Sequence, residues 1–367
     1  MGALENLDCR LLRSMDEIDA IEGEWDRLWH AQRIRHVFQG FGWHRAILDA
    51  HTERQPCVVT ARDRERLVGL LPLAEDGDRL SFLGAPYSDY CDLLADVPDP
   101  GRLLEEMLEA LGQDELHTLT LDNVRKDAVL SRATEEAGSM VKERLLWQPG
   151  QVCPTTLLDN GDSDTYAAIL RKKSLRRHEN KLARQGNLRF EHIVDEDRAR
   201  SLLPVFFQQH VERRERAGDE SLFLRQEARD FYQALIARLG LEIVRFAVLR
   251  LDGSPVAFHF GFEYDHRFTW YKPSFDVAWS SYSPGEVLLK RLFEYARLRK
   301  LEEFDFTRGQ EEFKTRFANA SQQNRTLLVF SPGPRGQIEA LALRAKQQLK
   351  GVGWLRRSSR WIRDASH

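Results

Sequence analysis

The sequence predicts an α+β protein made of two similar units in tandem. Its 367 residues exceed one typical domain and suit two. Residues 64–123 and 252–309 each run in the order strand, polar turn, strand, amphipathic helix with Gly in its first turn, short alternating strand. Gly101 precedes Gly285 by 184 residues, and Leu119 precedes Phe304 by 185. Because both landmarks keep nearly the same offset, we interpret the two stretches as a duplication.

The chain divides into three predicted segments. A first domain covers residues 1–160, a second covers 161–332, and a basic helical tail covers 333–367. The turn-forming residues around Asn160-Gly161-Asp162 mark the boundary between the two domains.

The second domain shows the clearer local patterns. Apolar residues at helical spacing between Phe231 and Leu239 predict a helix, and residues 241–251 alternate as in a strand. Asp252-Gly253 separates two apolar runs and predicts a tight hairpin. We therefore expect a strand, two helices, three antiparallel strands, a helix and a final strand.

Composition excludes several classes of protein. The net charge of −3 argues against general DNA binding, and no apolar run approaches the length of a membrane-spanning helix. No signal peptide is visible, which predicts a cytoplasmic protein. The four cysteines are far apart and form no metal-ligand or disulfide pattern, so no metal is expected; they are Cys9, Cys57, Cys91 and Cys153.

Residues 281–296, "SYSPGEVLLKRLFEYA", predict a helix start with an unusual glycine. Ser283 and Glu286 fit a capping box, and Pro284 suits the first helical position. Gly285 costs stability inside a helix. Either a ligand phosphate approaches the backbone there, or glycine is simply tolerated in the first turn.

Five short motifs follow one another along the chain: "EWDRLW", "LVGLLPL", "LSFLGAPYSDYCDLL", "YSPGEVLL" and "FDFTRGQEEFKTRF". Together they resemble the CelD/BcsL acetyltransferase family of the GNAT superfamily, and the resemblance covers roughly residues 20–330. It implies two tandem GNAT-like domains, each a mixed, mostly antiparallel sheet flanked by helices. It also implies acetyl transfer from acetyl-CoA to an amine or hydroxyl, in cellulose, exopolysaccharide or cell-envelope biosynthesis.

The resemblance also implies where the donor binds. In a GNAT fold the central strand, here 268–276, leads to a helix whose N-terminus receives the coenzyme A pyrophosphate. The implied contacts are Ser283, Gly285, Glu286, Arg308 and Lys314. The usual R/Q-x-x-G-x-G/A loop is absent, as it is in the similar FemAB aminoacyltransferases, which use aminoacyl-tRNA.

Acyl transfer needs a base for the acceptor's proton and a group that assists the leaving thiolate. Asp276 ends the predicted strand and is the candidate for orienting or deprotonating the acceptor. Tyr271 is the candidate proton donor. His259 either faces the cleft as a base or satisfies a hydrogen bond in the core.

Two other stretches are candidate substrate contacts. The loop "GAPYSDYCD" contains Tyr87, Asp89 and Tyr90 and predicts either a polar-acceptor site or a hairpin end with local hydrogen bonds. The basic stretch 171–186, with Lys173 and Arg176, and the nearby Tyr166 predict either a phosphate contact or a solvated helix face.

The sequence thus predicts an acyltransferase with acetyl-CoA as donor and a small-molecule or saccharide acceptor. Two alternatives stay open: an aminoacyltransferase acting on a cell-wall precursor, and a non-catalytic accessory protein of a polysaccharide synthase. The basic tail, with Trp354 and Trp361, predicts contact with such machinery or with the inner membrane surface, or a terminal helix packed on the second domain.

Overall fold

The structure is a computed structural model that describes residues 7–346 except 78, 86, 113–117, 159–164 and 335. The predicted boundary at Asn160-Gly161-Asp162 lies outside the described residues. Within the predicted tail, residues 336–346 are helical, whereas residues 347–367, including both tryptophans, lie outside them.

The strands are β1 Leu7–Leu12, β2 Gln55–Asp63, β3 Arg66–Asp76, β4 Arg79–Phe82, β5 Leu94–Ala95, β6 Thr118–Val124, β7 Leu145–Leu157, β8 Leu188–His192, β9 Val244–Leu251, β10 Ser254–Tyr264, β11 Arg267–Phe275, β12 Glu303–Asp305 and β13 Ala320–Phe330.

The helices are α1 Met15–Asp19, α2 Glu22–His30, α3 Phe41–Ala50, α4 Pro100–Ala110, α5 Val129–Glu136, α6 Ser139–Lys142, α7 Thr165–Leu170, α8 Lys173–Ala183, α9 Glu196–Arg216, α10 Gln226–Ile243, α11 Pro284–Leu298 and α12 Glu312–Phe317. Short 3₁₀ turns lie at Val37–Gln39, Leu222–Leu224 and Val277–Tyr282.

All the strands of the described residues belong to one mixed sheet. Its order is β1-β2-β3-β4-β6-β13-β7-β12-β11-β10-β9-β8, and β5 pairs with β3 beside this path. This mixed sheet with flanking helices is the α+β fold class that the sequence predicts.

The last strand crosses the predicted domain boundary. β13 lies antiparallel between β6 and β7, both of which precede residue 160. The far end of β7 then pairs with β12 of the second half. The two halves therefore share one continuous sheet, although their division at residue 160 remains a prediction.

The predicted repeat appears as two equivalent parallel strand pairs. β4 pairs with β6 through Leu80 and Leu119, and β11 pairs with β12 through Phe268 and Phe304. The landmarks Leu119 and Phe304 thus occupy the same place in the two halves.

The predicted order of elements in the second half is confirmed between residues 188 and 305. There, β8 is followed by α9 and α10, then by the antiparallel strands β9 to β11, α11 and β12. The prediction missed α7 and α8 before β8, and α12 and β13 after β12. The Asp252-Gly253 hairpin is also confirmed, since both residues have positive φ, at 48° and 85°. Such angles are those of the tight turns that join two strands.

Helices cover both faces of the second-half sheet. Phe258, Phe260 and Phe262 of β10 pack into a core with α9 and α10. The alternate residue Ala257 packs into a second core with α8 and α11. Burial on both faces explains why β10 is apolar along nearly its whole length. No helix among the described residues is long and apolar enough to cross a membrane.

Candidate active site

A β-bulge distorts β11 next to the parallel pair. Gly261 of β10 interrupts the register between Phe260 and Phe262. A Cβ at this position would lie 2.1 Å from the His259 ring and 2.3 Å from the Thr269 carbonyl oxygen, so only glycine fits. Bulges bend strands and often border functional sites.

β11 and β12 stay paired for only three residues and then separate. β11 pairs with β12 from Arg267 to Thr269 and afterwards follows β10. The chain after β12 follows β7 instead, since the Phe306 and Gly309 N–H groups donate to its Pro154 and Val152 carbonyls. The separation opens a gap in the sheet.

A cavity of about 570 Å³, the larger cavity, occupies this gap. β11 contributes Trp270 to Pro273, and the segment after β12 contributes Thr307, Arg308 and Lys314. The first half contributes Asp89 and Gln151, and α9 with the following loop closes the remaining side. Both halves of the chain therefore build one site.

The larger cavity is rich in cations. Five positively charged side chains line it against three carboxylates; the cations are Arg213, Arg214, Lys272, Arg308 and Lys314, and the carboxylates are Asp89, Glu220 and Glu311. This excess predicts an anionic ligand.

The segment between β12 and α12 is folded around the Lys314 ammonium. Lys314 Nζ donates to the Arg308 carbonyl at 2.5 Å and lies 3.0 Å from a Glu311 carboxylate oxygen. Gly309 has a φ of 116°, and a Cβ there would lie 3.0 Å from Lys314 Nζ. The Gly-x-x-x-Phe-Lys pattern thus reflects this geometry: the glycine leaves room for the ammonium.

Arg308 is held by an ion pair with Asp89 across the two halves. Neighbouring Tyr90 donates to Asp305 Oδ1 at 2.8 Å, and the Thr307 N–H donates to the same oxygen at 2.7 Å. Burial raises the pKa of the Asp305 carboxyl. The predicted contacts Arg308, Lys314 and Asp89 therefore meet in one cavity.

Lys272 is a cavity residue that the sequence reasoning missed. Its Nζ lies 4.3 Å from the centre of the Tyr271 ring, and among the described residues it has neither a hydrogen bond nor an ion pair. Burial lowers the pKa of Lys272 to about 8, and the opposing effect of Asp89 is smaller. A lone cation in the aromatic strand "FTWYKPSF" was the available signal.

One face of α9 was missed as well. His210, Arg213 and Arg214 recur at helical spacing and line the larger cavity. Ser221 lies 2.8 Å from His210 Nδ1, and burial lowers the pKa of His210 to about 3, so the ring is neutral. These charges interrupt the apolar pattern of α9, but only the folded chain brings that face to β11.

The three predicted catalytic residues occupy different environments. Tyr271 lines the larger cavity, but its hydroxyl donates to the Tyr87 carbonyl at 2.7 Å, and burial raises the pKa of that phenol well above its ordinary value. Asp276 does not line the cavity; it caps the 3₁₀ turn by accepting from the Ala278 N–H at 2.9 Å.

His259 is enclosed in the sheet, which corrects the alternative of a ring facing the cleft. The ring stacks on Phe268 and Trp270, and its Nε2 accepts from the Tyr271 N–H at 3.2 Å. Burial holds the pKa of His259 well below its ordinary value. At the bulge the His259 ring accepts a backbone N–H of β11 in place of a strand carbonyl, and so helps to hold β11 in its bulged course.

The predicted capping box at the α11 start is wrong. Ser283 has a φ of 55° and its side chain makes no capping bond. Glu286 instead pairs with Arg316 at 2.6 Å and with His178 at 3.0 Å. Among the described residues a Cβ on Gly285 would meet only Phe275, at 3.5 Å, so their packing does not require a glycine there.

The remaining substrate candidates are dispersed. Tyr87 lines a smaller neighbouring cavity of about 300 Å³ and its hydroxyl lies 2.9 Å from His51 Nε2. Tyr90 is fully buried. The Tyr166 hydroxyl donates to the Ala296 and Leu301 carbonyls at the end of α11, so Tyr166 has a structural role there.

Lys173 and Arg176 lie apart from the larger cavity. They border a shallow surface depression on α8 together with Arg177, Asn180, Lys181 and Arg184. Lys181 connects this surface to the α11 start by donating to the Ser281 carbonyl at 2.8 Å. Across the described ranges, no group of three or more His, Cys, Asp or Glu is arranged to hold a metal.

Comparison with known proteins agrees with this architecture. Residues 170–315 match the family model described as an acetyltransferase (GNAT) domain. No curated protein matches the sequence.

Three solved structures share the fold at low sequence identity. A conserved protein of unknown function from Bacteroides thetaiotaomicron is 13% identical, with a TM-score of 0.59 over 88% of this chain and 100% of that one. FemX is 10% identical, with a TM-score of 0.57 over 86% and 96%. The C-terminal domain of a putative lysylphosphatidylglycerol synthetase from Agrobacterium fabrum is 14% identical, with a TM-score of 0.53 over 90% and 97%.

The family match contains β11, β12 and Lys314, and therefore most of the larger cavity. Residues 170–315 carry a GNAT-type acetyltransferase domain, and the chain is an acyltransferase enzyme.

Proposed function

We propose that this enzyme moves an acetyl group from acetyl-CoA to an amine or hydroxyl of a saccharide or other cell-envelope precursor. The observation that carries the proposal is the cation-rich larger cavity between β11 and β12. A gap between two parallel strands has room for the extended arm that carries the acetyl thioester, and cations at its wall attract the phosphates of the donor. We also propose that the enzyme is a member of the CelD/BcsL family and acts in exopolysaccharide synthesis.

The residues present fit such a donor at two places. Arg308 and Lys314 supply fixed positive charge at the gap. At the α11 start, a Cβ on Gly285 would meet Phe275 at 3.5 Å, an ordinary contact distance, and the Glu286 and Val287 N–H groups already donate to the Ser283 carbonyl. When bound, the donor supplies an activated acyl thioester; all remaining functions fall to the chain.

Lys314 is suited to stabilise negative charge on the reacting carbonyl oxygen. The Arg308 carbonyl and Glu311 engage two of the three N–H groups of its ammonium, and one N–H remains to donate into the larger cavity. Because these contacts fix the ammonium before substrate binds, little reorganisation accompanies the reaction.

The second candidate donor is an aminoacyl-tRNA. The outer face of α8 supports it, since Lys173, Arg176, Arg177, Lys181 and Arg184 are all exposed there. A basic helix face attracts a nucleic acid backbone. The likeness to FemX and to a lysylphosphatidylglycerol synthetase, whose name describes a lysyl transfer, is compatible with this donor.

Calorimetric titration of acetyl-CoA into the wild type and Lys314→Met tests the proposal. We expect the substitution to weaken binding about tenfold or more, since a charge-assisted contact is lost. Lys142→Met is the matched control, because Lys142 is exposed on α6 and makes no contact with the larger cavity.

Absence of acetyl-CoA binding by the wild type would contradict the proposed donor. Protein-dependent consumption of aminoacyl-tRNA would then favour the second candidate. Equal binding by wild type and Lys314→Met would instead remove Lys314 from the donor site.

A further inference from the structure

Two cations of the larger cavity have no acidic partner among the described residues. They are Lys272 and Arg213, whereas Arg308 pairs with Asp89, Arg214 with Asp219 and Lys314 with Glu311. The Arg213 guanidinium lies 5.8 Å from the centre of the Phe275 ring, and its buried Nε has no hydrogen bond. The Lys272 ammonium lies 4.3 Å from the centre of the Tyr271 ring.

This arrangement is unfavourable for the protein alone. A charge withdrawn from water is destabilising unless an opposite charge or hydrogen bonds replace the lost hydration. Burial lowers the pKa of Arg213 as it does that of Lys272. A bound anion would offset such a charge, and both side chains line the larger cavity that a ligand would enter.

Lys272 also lies on a wall shared by two cavities. The smaller cavity is lined by Tyr87, Ser221 and Arg225 and shares Glu220, Leu222, Tyr271 and Lys272 with the larger one. Arg213, Arg308 and Lys314 line only the larger cavity. Two adjoining cavities match the two substrates of a transferase, with Lys272 where they meet.

We propose that Lys272 and Arg213 bind an acidic group, a carboxylate or a phosphate, on the acyl acceptor. The acceptor is then an acidic molecule bearing an amine or hydroxyl, and a neutral saccharide is a poor substrate. The assignment of this acidic group to the acceptor rests on the proposed function, which distinguishes a donor from an acceptor. The anion subsite itself is inferred only from the charges and the cavities.

Ligand-observed NMR titration without donor tests the subsite directly. The probes are galacturonate, galactose 6-phosphate and galactose, which compare a carboxylate, a phosphate and a neutral sugar. We expect at least one acidic probe to bind more tightly than galactose. Lys272→Met and Arg213→Met should each weaken that acid about tenfold, as expected for a lost charge-assisted contact, and leave galactose unchanged.

The control is Arg200→Met, which removes an exposed cation from the same helix, α9. Lys272→Arg should restore much of the acid binding because it keeps the charge. Equal binding of acids and galactose, or acid binding unaffected by both Met variants, would overturn the proposal.

A second titration repeats the acid series with coenzyme A present at saturation. Retained acid binding supports an acceptor subsite, whereas displacement of the acid assigns these cations to the donor and overturns the acceptor assignment. If coenzyme A does not bind but the acid binds through Lys272, the anion subsite is supported and only the proposed donor fails.

Discussion

The two parallel strand pairs open in the same way but are filled differently. After β4 leaves β6, the chain itself fills the gap: Ala95 of β5 pairs with β3, and Cys91 bridges to Val124 of β6. Ser88 is fully buried there, and its hydroxyl accepts from Trp43 at 2.8 Å. After β11 leaves β12, no such loop of the described residues enters and the larger cavity remains.

This difference separates what the fold provides from what the chemistry needs. The gap follows from the parallel pair, which both halves have. A ligand site arises only where the chain leaves the gap open and places charges in it. The loop that fills the first gap also builds the second site, since its Asp89 pairs with Arg308.

The first prediction, with the largest expected effect, compares Gly101 and Gly285, which both lie in the first turn of a helix. Gly101 touches α5 so closely that a Cβ would lie 2.6 Å from the Glu136 carbonyl carbon and 2.7 Å from the Ala137 nitrogen. Gly101→Ala should lower the free energy of unfolding by about 2 to 3 kcal/mol, because backbone atoms must move. Urea denaturation measures this loss.

Gly285→Ala is the matched substitution in the second half. Its Cβ would meet only Phe275 at an ordinary distance, and alanine favours helix by roughly 1 kcal/mol or less in a first turn. We therefore expect unchanged or slightly raised stability. A large loss of unfolding free energy in Gly285→Ala, or no loss in Gly101→Ala, would contradict this contrast. Separately, weaker acetyl-CoA binding by Gly285→Ala would show that a ligand approaches the backbone closely at this glycine.

The second prediction tests the link between the filled and the open gap. Tyr90→Phe removes the hydrogen bond to Asp305, whose Oδ2 already has no partner among the described residues. The free energy of unfolding should fall by about 1 to 2 kcal/mol, because a buried acceptor loses a donor. Urea denaturation at neutral pH measures the change.

Tyr87→Phe serves as its control, since that hydroxyl is only partly buried and bonds to His51. Equal losses of unfolding free energy in the two variants would show that the Tyr90–Asp305 hydrogen bond stabilises the fold no more than the partly buried Tyr87–His51 contact. Asp305→Asn combined with Tyr90→Phe would then measure how strongly the two groups are coupled.

The smallest expected effect has the opposite sign. Lys272→Met should raise the free energy of unfolding by about 1 kcal/mol at pH 7, because the variant no longer buries an ammonium that lacks an ion-pair partner among the described residues. The pKa of Lys272 is about 8 when folded and near 10.5 when unfolded, so the penalty is full below pH 8. It shrinks as the pH rises from 8 to 10.5.

Denaturation of both proteins at pH 7 and pH 10 checks this dependence. The difference between variant and wild type should be larger at pH 7. A destabilised variant, or a gain that grows with pH, would show that Lys272 has a stabilising partner in solution.

Local patterns predicted much of the second half. Helical spacing identified α10, and Asp252-Gly253 identified the hairpin because its positive φ angles are encoded by two adjacent residues. The place of β13 was not predictable in this way. Its residues alternate as in many strands, and nothing local specifies that it pairs with β6 and β7, more than 160 residues earlier.

The site was predictable where one segment forms it. Arg308 and Lys314 lie six residues apart, and the resemblance singled out both. Lys272 and Arg213 come from β11 and α9, so their meeting depends on how α9 packs across the sheet. His259 was ambiguous because a strand's alternation does not say which buried face opens into a cavity.

The position of β13 has a consequence for synthesis. β6 and β7 are separated by a gap that only residues 320–330 fill. As the chain leaves the ribosome, the first half therefore keeps two unsatisfied strand edges until residues 320–330 have been made. Such edges invite pairing with other chains. A chaperone that covers β6 and β7 would protect the nascent protein at this stage, and a truncation before residue 320 would leave both edges exposed.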